Sequence, residues 1–195
     1  MTFKTTAAAA AALFIAAGAA QATTSAYSVT ISGNNNVPTF SLQNTGDVAI
    51  TEIGFFIGNT GFNIDGLNNI TDGTTGGYLL AGVDTNLSGG LRSDTFSISY
   101  SAFLGGESFA FGADFDRDSA NTTEDYRQIL DDGGYMTFTF AGGDVLTADF
   151  STISTAASSF TFTGSVAAPV PLPAGAVLLL GGLAGFGALR RRQKS

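Results

Sequence analysis

Between Tyr27 and Val166 the chain keeps returning to one pattern, a large apolar residue at every second position with serine or threonine between. Tyr27, Val29 and Ile31 alternate with Ser28, Thr30 and Ser32, and Phe96, Ile98 and Tyr100 alternate with Ser97 and Ser99. Phe40 and Leu42 follow Pro38; Phe109, Phe111, Ala113 and Phe115 share one parity; so do Met136, Phe138 and Phe140, and Phe160, Phe162 and Val166. A period of two places all such residues on one face of an extended strand, so each stretch reads as a half-buried β-strand. Fourteen of the seventeen phenylalanines lie between Phe40 and Phe162. With hydroxyl side chains on the opposite faces, they describe two sheets packed on an aromatic core. Polar turn signals separate the strands, among them Gly33-Asn34-Asn35-Asn36, Asn44-Thr45-Gly46-Asp47, Asp72-Gly73, Gly105-Gly106 and Gly142-Gly143. Short strands with such turns predict an all-β fold, an antiparallel β-sandwich, rather than alternating βα units.

Two stretches depart from that pattern. Phe55 and Phe56 are adjacent within Thr51-Glu52-Ile53-Gly54-Phe55-Phe56-Ile57, which fits a strand covered on both faces or a glycine-marked bulge. Residues 122–133 combine a threonine cap, acids in the first turn, Tyr126/Ile129/Leu130 spacing and Gly133. That combination predicts a short helix.

The two ends of the chain are of a different kind. Lys4, the apolar run from Ala7 to Ala17 and the small-x-small triplet Ala20-Gln21-Ala22 make residues 1–22 a signal peptide, cleaved after Ala22. At the other end Val170-Pro171-Leu172-Pro173-Ala174 precedes an apolar segment, residues 175–189, and Arg190-Arg191-Arg192. Pro171 and Pro173 hold the chain extended, so a helix can begin only after them. At about 1.5 Å per residue the apolar segment is about 22 Å long. A bilayer core is about 30 Å thick, and a span is reached by starting from Leu172 and letting the arginines snorkel. Positive residues stay in the cytoplasm, so Lys4 and Arg190–Arg192 belong inside and everything between them is exported. The expected organisation is a signal peptide at 1–22, an exported β-sandwich at 23–168, a linker and motif at 169–174, a transmembrane helix at 175–189 and a basic cytoplasmic tail at 190–195. A buried C-terminal helix is the alternative, but such helices keep a polar face and this segment has none.

Motif, apolar segment and arginine cluster, in that order, resemble the VPLPA-CTERM sorting signal, a variant of the PEP-CTERM signals of bacterial exported proteins. The resemblance covers residues 170–195 alone. It implies recognition in the inner membrane by an exosortase, a cysteine transpeptidase-like enzyme that cuts near the motif and releases or re-anchors the protein at the surface. The partners so implied are the export machinery, the exosortase, the inner membrane in passing, and extracellular polysaccharide of a biofilm matrix. Such a tail is an address, and it leaves the work of the exported domain open.

Setting the two ends aside changes the charge. Five of the eight basic residues lie there, leaving Arg92, Arg117 and Arg127 against all sixteen acids, a net charge of −13 with no lysine. Nucleic-acid binding needs Lys and Arg to displace counterions, so it is excluded, and cations become the natural partners. The chain has no cysteine and no histidine. Disulfides, thiolate zinc, the Ser-His-Asp triad and the commonest general base are therefore absent.

The candidate site is Asp114-Phe115-Asp116-Arg117-Asp118-Ser119, with Asp125 twelfth from Asp114. Carboxylates at positions one, three, five and twelve resemble the calcium loop of EF-hand proteins, in which alternate oxygens converge on one hard cation. Ser119 stands where that loop needs glycine, Asp125 replaces the longer glutamate, and no helix precedes it. A looser calcium-binding β-loop and a set of solvated turn residues screened by Arg117 both remain open. Three functions follow: a non-catalytic structural or adhesive surface protein, a calcium-dependent carbohydrate-binding module, and a secreted carboxylate-dependent hydrolase. The missing His, Cys and Lys favour the first.

Overall fold

The computed structural model describes residues 22–33, 35–73, 76–83, 92–169 and 181–183. The expected leader up to Gln21, the motif Val170–Ala174, Arg190–Arg192 and all of the apolar segment except 181–183 lie outside the described residues. Among the described residues no helix is long and apolar enough to cross a membrane.

Among the described residues from 22 to 169, ten strands and one helix follow one another: β1 (Thr24–Gly33), β2 (Pro38–Asn44), β3 (Ile50–Phe56), β4 (Phe62–Asp72), β5 (Tyr78–Ala81), β6 (Thr95–Phe103), β7 (Ser108–Arg117), α1 (Tyr126–Leu130), β8 (Tyr135–Phe140), β9 (Val145–Asp149) and β10 (Ser159–Ala167). They build two five-stranded sheets, sheet I in the order β10-β1-β2-β7-β4 and sheet II in the order β5-β6-β3-β8-β9. Neighbouring strands are antiparallel throughout. The fold is all-β, as the alternation predicts, and residues Thr23–Ala167 form one compact unit.

Strand parity decides what lies between the sheets. Val29 and Ile31 of β1, Phe40 and Leu42 of β2, and Phe109, Phe111, Ala113 and Phe115 of β7 are buried from one side; Ile53 and Phe55, Phe96 and Ile98, and Met136, Phe138 and Phe140 are buried from the other. Phe55 is the hub, with Phe40 at 5.4 Å and Phe115 at 6.3 Å in sheet I, Phe96 at 5.0 Å in its own sheet, and Phe150 at 6.1 Å beyond β9. Offset and edge-on pairs of this kind add about 0.5–1.5 kcal/mol each beyond the area they bury. At the other end Tyr27 stacks on Phe138, centroids 3.9 Å apart, and its hydroxyl donates to the Thr147 carbonyl at 2.8 Å. Gly164, its partner on β10, has to be glycine, because a Cβ there would stand 2.5 Å from the Tyr27 ring. As an edge strand β10 is only half covered, and Val166 is 39% exposed although its parity points inward.

Phe55 and Phe56 resolve into the two faces of one central strand. Phe55 enters the core, and Phe56 lies half-buried outside it against Tyr135, at 5.2 Å. The irregularity of β3 falls between Ile50 and Glu52, not at Gly54. The helix is shorter than residues 122–133 and begins at Tyr126. Its cap is Asp125 rather than threonine, with the side chain accepting from the Arg127 amide.

Replacing Phe55 by alanine leaves a void touching both sheets, and it is expected to cost about 3–5 kcal/mol in urea unfolding. Phe56→Ala, one residue on but outside the core, is expected to cost less than half as much.

Candidate functional site: the acidic end of sheet I

The end of sheet I formed by β4 and β7 gathers six acids, Asp65, Asp114, Asp116, Asp118, Glu124 and Asp125, together with Arg92, Arg117 and Arg127. Phe115 of β7 fills the core, so Asp114 and Asp116 on either side of it face outward. Opposite them on β4 stand Asn63, paired with Asp116, and Gly66, paired with Asp114. The register shifts between Ile64 and Gly66, and the extra residue is Asp65, fully buried. A β-bulge re-aims one side chain, and here that side chain is a carboxylate. Ile64 also bridges to Ser93, which brings Arg92 beside the bulge with its Nε 3.3 Å from Asp65 Oδ1.

Residues 118–125 then fold back over the outward face. The Thr122 amide donates to Asp116 Oδ1 at 2.5 Å, and the Arg117 amide donates to Thr122 Oγ1 at 3.1 Å. This cover explains why Asp116, on the solvent parity of an outer strand, is only 3% exposed. Asn36, from the turn between β1 and β2, donates to Asp114 Oδ1 at 2.9 Å while its own oxygen accepts from the Glu124 amide at 2.9 Å. Between these groups lies an open polar pocket of about 320 Å³ lined by Asp114, Asp116, Asn121, Thr122 and Thr123.

Of the four acids singled out in the sequence, Asp114 and Asp116 line this pocket together. The other two are turned to other work. Asp118 is exposed and accepts from Asn63 Nδ2 at 3.2 Å. Asp125 is gripped by Arg127 through both carboxylate oxygens, at 2.8 and 2.7 Å, while capping α1. The one-three-five-twelve set is therefore not gathered about one point, because an arginine two residues on outcompetes the loop for its last member. Among the described residues no three acids stand where they could hold one metal ion.

Electrostatics separates the acids further. Burial first, then the charges of Asp116 and Asp65, pushes the Asp114 carboxyl above the usual range against the pull of Asn36. The hydrogen bonds from Arg127 hold Asp125 below it. Glu124 is held low in the same way by Arg117, whose guanidinium also lies 5.1 Å over the Phe62 ring. Arg92 completes the end by donating to Asn121 Oδ1 at 2.6 Å. All three arginines of residues 23–168 thus serve this end of the domain.

Asn36, Asn63, Asp65 and Arg92 belong to the site without a local sequence signal. The nearest to a signal is Asn63-Ile64-Asp65-Gly66, a polar-apolar alternation closed by the glycine of a bulge. Comparison of the chain with protein-family models, with curated proteins and with solved structures finds no match.

Asp114 and Asp125 have opposite pH signatures. With its folded pKa raised above 3.8, Asp114 binds its proton more tightly in the folded chain, so stability falls as pH rises through the window between the ordinary and the raised value. Asp114→Asn keeps the oxygen that Asn36 needs, and it is expected to raise the melting temperature at pH 7 while flattening its decline over that window. Asp125, with its pKa lowered from 3.8, gives stability that is present above the ordinary value and lost as pH falls through the lowered one. Asp125→Ala is expected to cost about 0.5–2 kcal/mol at pH 7 through the lost cap. Thermal melts of both variants from pH 3 to 8 check the two signs.

Proposed function

We propose that the chain is a precursor exported across the inner membrane, sorted by an exosortase-type enzyme, and left at the cell surface or in the extracellular matrix as a non-catalytic structural or adhesive β-sandwich. The observation that carries this reading is where the sandwich begins and ends. Strand β1 starts two residues after Ala22 and β10 ends three residues before Val170. Thr24 and Ala167 are partners in the β1–β10 ladder. A cut after Ala22 and a cut at the Val170–Ala174 motif would each remove a segment without taking a strand from either sheet. The first and last residues of the ladder, Thr24 and Ala167, are thus neighbours within the sandwich.

The non-catalytic part of the reading is supported by how the acids are used. Asp125 and Glu124 are held by Arg127 and Arg117, Asp116 by the Thr122 amide, Asp118 by Asn63 and Asp114 by Asn36. These bonds fasten loops to strands, which is a structural task. A carbohydrate-binding reading keeps its place beside the structural one, but it draws no support from calcium and rests on the other sheet.

Mass spectrometry of the protein from membrane, surface and medium fractions tests the proposal. The expected mature species begins at Thr23 and lacks Arg190–Arg192. A single intact chain keeping Met1 and all three arginines in every fraction would contradict it.

A further inference from the structure

The outer face of sheet II has a regular relief that follows from its register. Gly54 on the central strand pairs with Ser97 on one side and Thr137 on the other; Ser97 pairs on with Ala81, and Thr137 with Thr147. Small residues therefore line up across all five strands. Neighbouring strands lie about 4.8 Å apart, so this row is a trough about 19 Å long running across the sheet. At its centre a Cβ on Gly54 would stand 2.6 Å from Thr137 Oγ1, so the hydroxyl lies directly over the glycine.

The rows on either side are taller. One is Thr95, Phe56, Tyr135 and Asp149, in which the Phe56 and Tyr135 rings sit 5.2 Å apart and Tyr135 is 39% exposed. The other row, Leu79, Ser99, Glu52, Thr139 and Val145, rises above the floor at Glu52 in its centre and at its two ends, where Leu79 and Val145 are 70% and 57% exposed, and is low at Ser99 and Thr139 between them. A concavity of about 220 Å³ opens where Gly54, Phe56, Tyr135 and Thr137 meet.

We infer that this trough binds an uncharged polysaccharide chain lying across the strands, with Tyr135 and Phe56 as its aromatic wall and Ser97, Thr137 and Thr147 as its hydroxyl floor. The C–H face of a sugar ring is apolar and carries slight positive charge, which matches the negative face of an aromatic ring. The hydroxyls around that ring are donors and acceptors, and so are serine and threonine side chains. Charge selects among polymers. The face carries Glu52 and Asp149 as its acids, while the arginines at 92, 117 and 127 are all engaged around sheet I. A polyanion is repelled there and a neutral polymer is not. An extended peptide fits poorly, since peptides add to a sheet through free backbone at an edge. On the central strands backbone groups are already paired with neighbours on both sides. The inference rests on the exported reading only for where such a polymer is met.

The test uses the full chain in mild detergent. Neutral glucan, mannan and xylan hexasaccharides and anionic hyaluronan are titrated while backbone amide shifts are followed by NMR. At least one neutral hexasaccharide is expected to move the amides of Gly54, Ser97, Thr137 and Thr147, with hyaluronan moving none of them. Tyr135→Ala is expected to weaken binding about tenfold or more, the loss of one stacked ring. Thr147→Val leaves the aromatic wall untouched and is expected to weaken binding by removing one of the floor hydroxyls. Thr30→Ala, on the outer face of sheet I, serves as the control and is expected to bind as the wild type does. Saturation with no neutral sugar, shifts confined to sheet I, stronger binding of hyaluronan, or a folded Tyr135→Ala that binds unchanged would each overturn the inference. None of those results bears on processing at the two ends, which the mass spectra decide separately.

Discussion

The ring of Phe55 is the contact on which the rest of the molecule depends. It sits on the central strand of sheet II and reaches Phe40 and Phe115 in sheet I. Because a strand has period two, sliding β3 by one residue would take this ring out of the core and put Phe56 or Gly54 in its place. The core contact therefore fixes more than stability. It sets the register that leaves Gly54 and Phe56 outside, level with Ser97 and Tyr135. Likewise Phe115 in the core obliges Asp114 and Asp116 to face outward on β7. Both surface features are the reverse side of the same aromatic packing.

The acidic end shows how a domain with three arginines and sixteen acids, at −13 overall, manages buried carboxylates. A charge taken out of water must be paired or bonded. Asp65 has Arg92 beside it and Asp116 has the Thr122 amide, while Asp114, with Asn36 as its hydrogen-bond donor, shifts toward its protonated form. The cover formed by residues 118–125 is held at its start by Asn63 at Asp118, and at its far end by Asn36 at Glu124 and by Arg127 at Asp125, the same guanidinium also reaching the carbonyls of Thr155 and Ala157. Spending all three cations there leaves the broad face of sheet II with hydroxyls, two rings and a few acids.

The strands with clean alternation were legible because Phe and Ser/Thr sort by parity whatever their distant neighbours are. Strand β4 was not, since its bulge buries Asn63 and Asp65 and breaks the apolar rhythm; β5, with four residues, is too short to show a period. The acids of β7 stood out through their spacing, but spacing along the chain says nothing of Arg127 closing on Asp125. Asn36 lies 78 residues from the aspartate it bonds. The trough was still less visible, because its floor takes one residue from each of five strands and exists only once the register is known. The helix cap shows a smaller misreading: threonine and aspartate are nearly equal as caps, and what decides is the residue directly before the first helical turn, here Asp125.

If the Phe55 contact sets the register, β3 must be among the last parts of the domain to open. Native-state hydrogen exchange measures this directly. The amides of Ile53 and Phe55 are expected to exchange only through global unfolding, with the free energy found by urea denaturation, while those of the edge strand β5 exchange through smaller openings. Exchange at Ile53 and Phe55 with a free energy well below the global value, while β1 and β2 stay protected, would contradict the account.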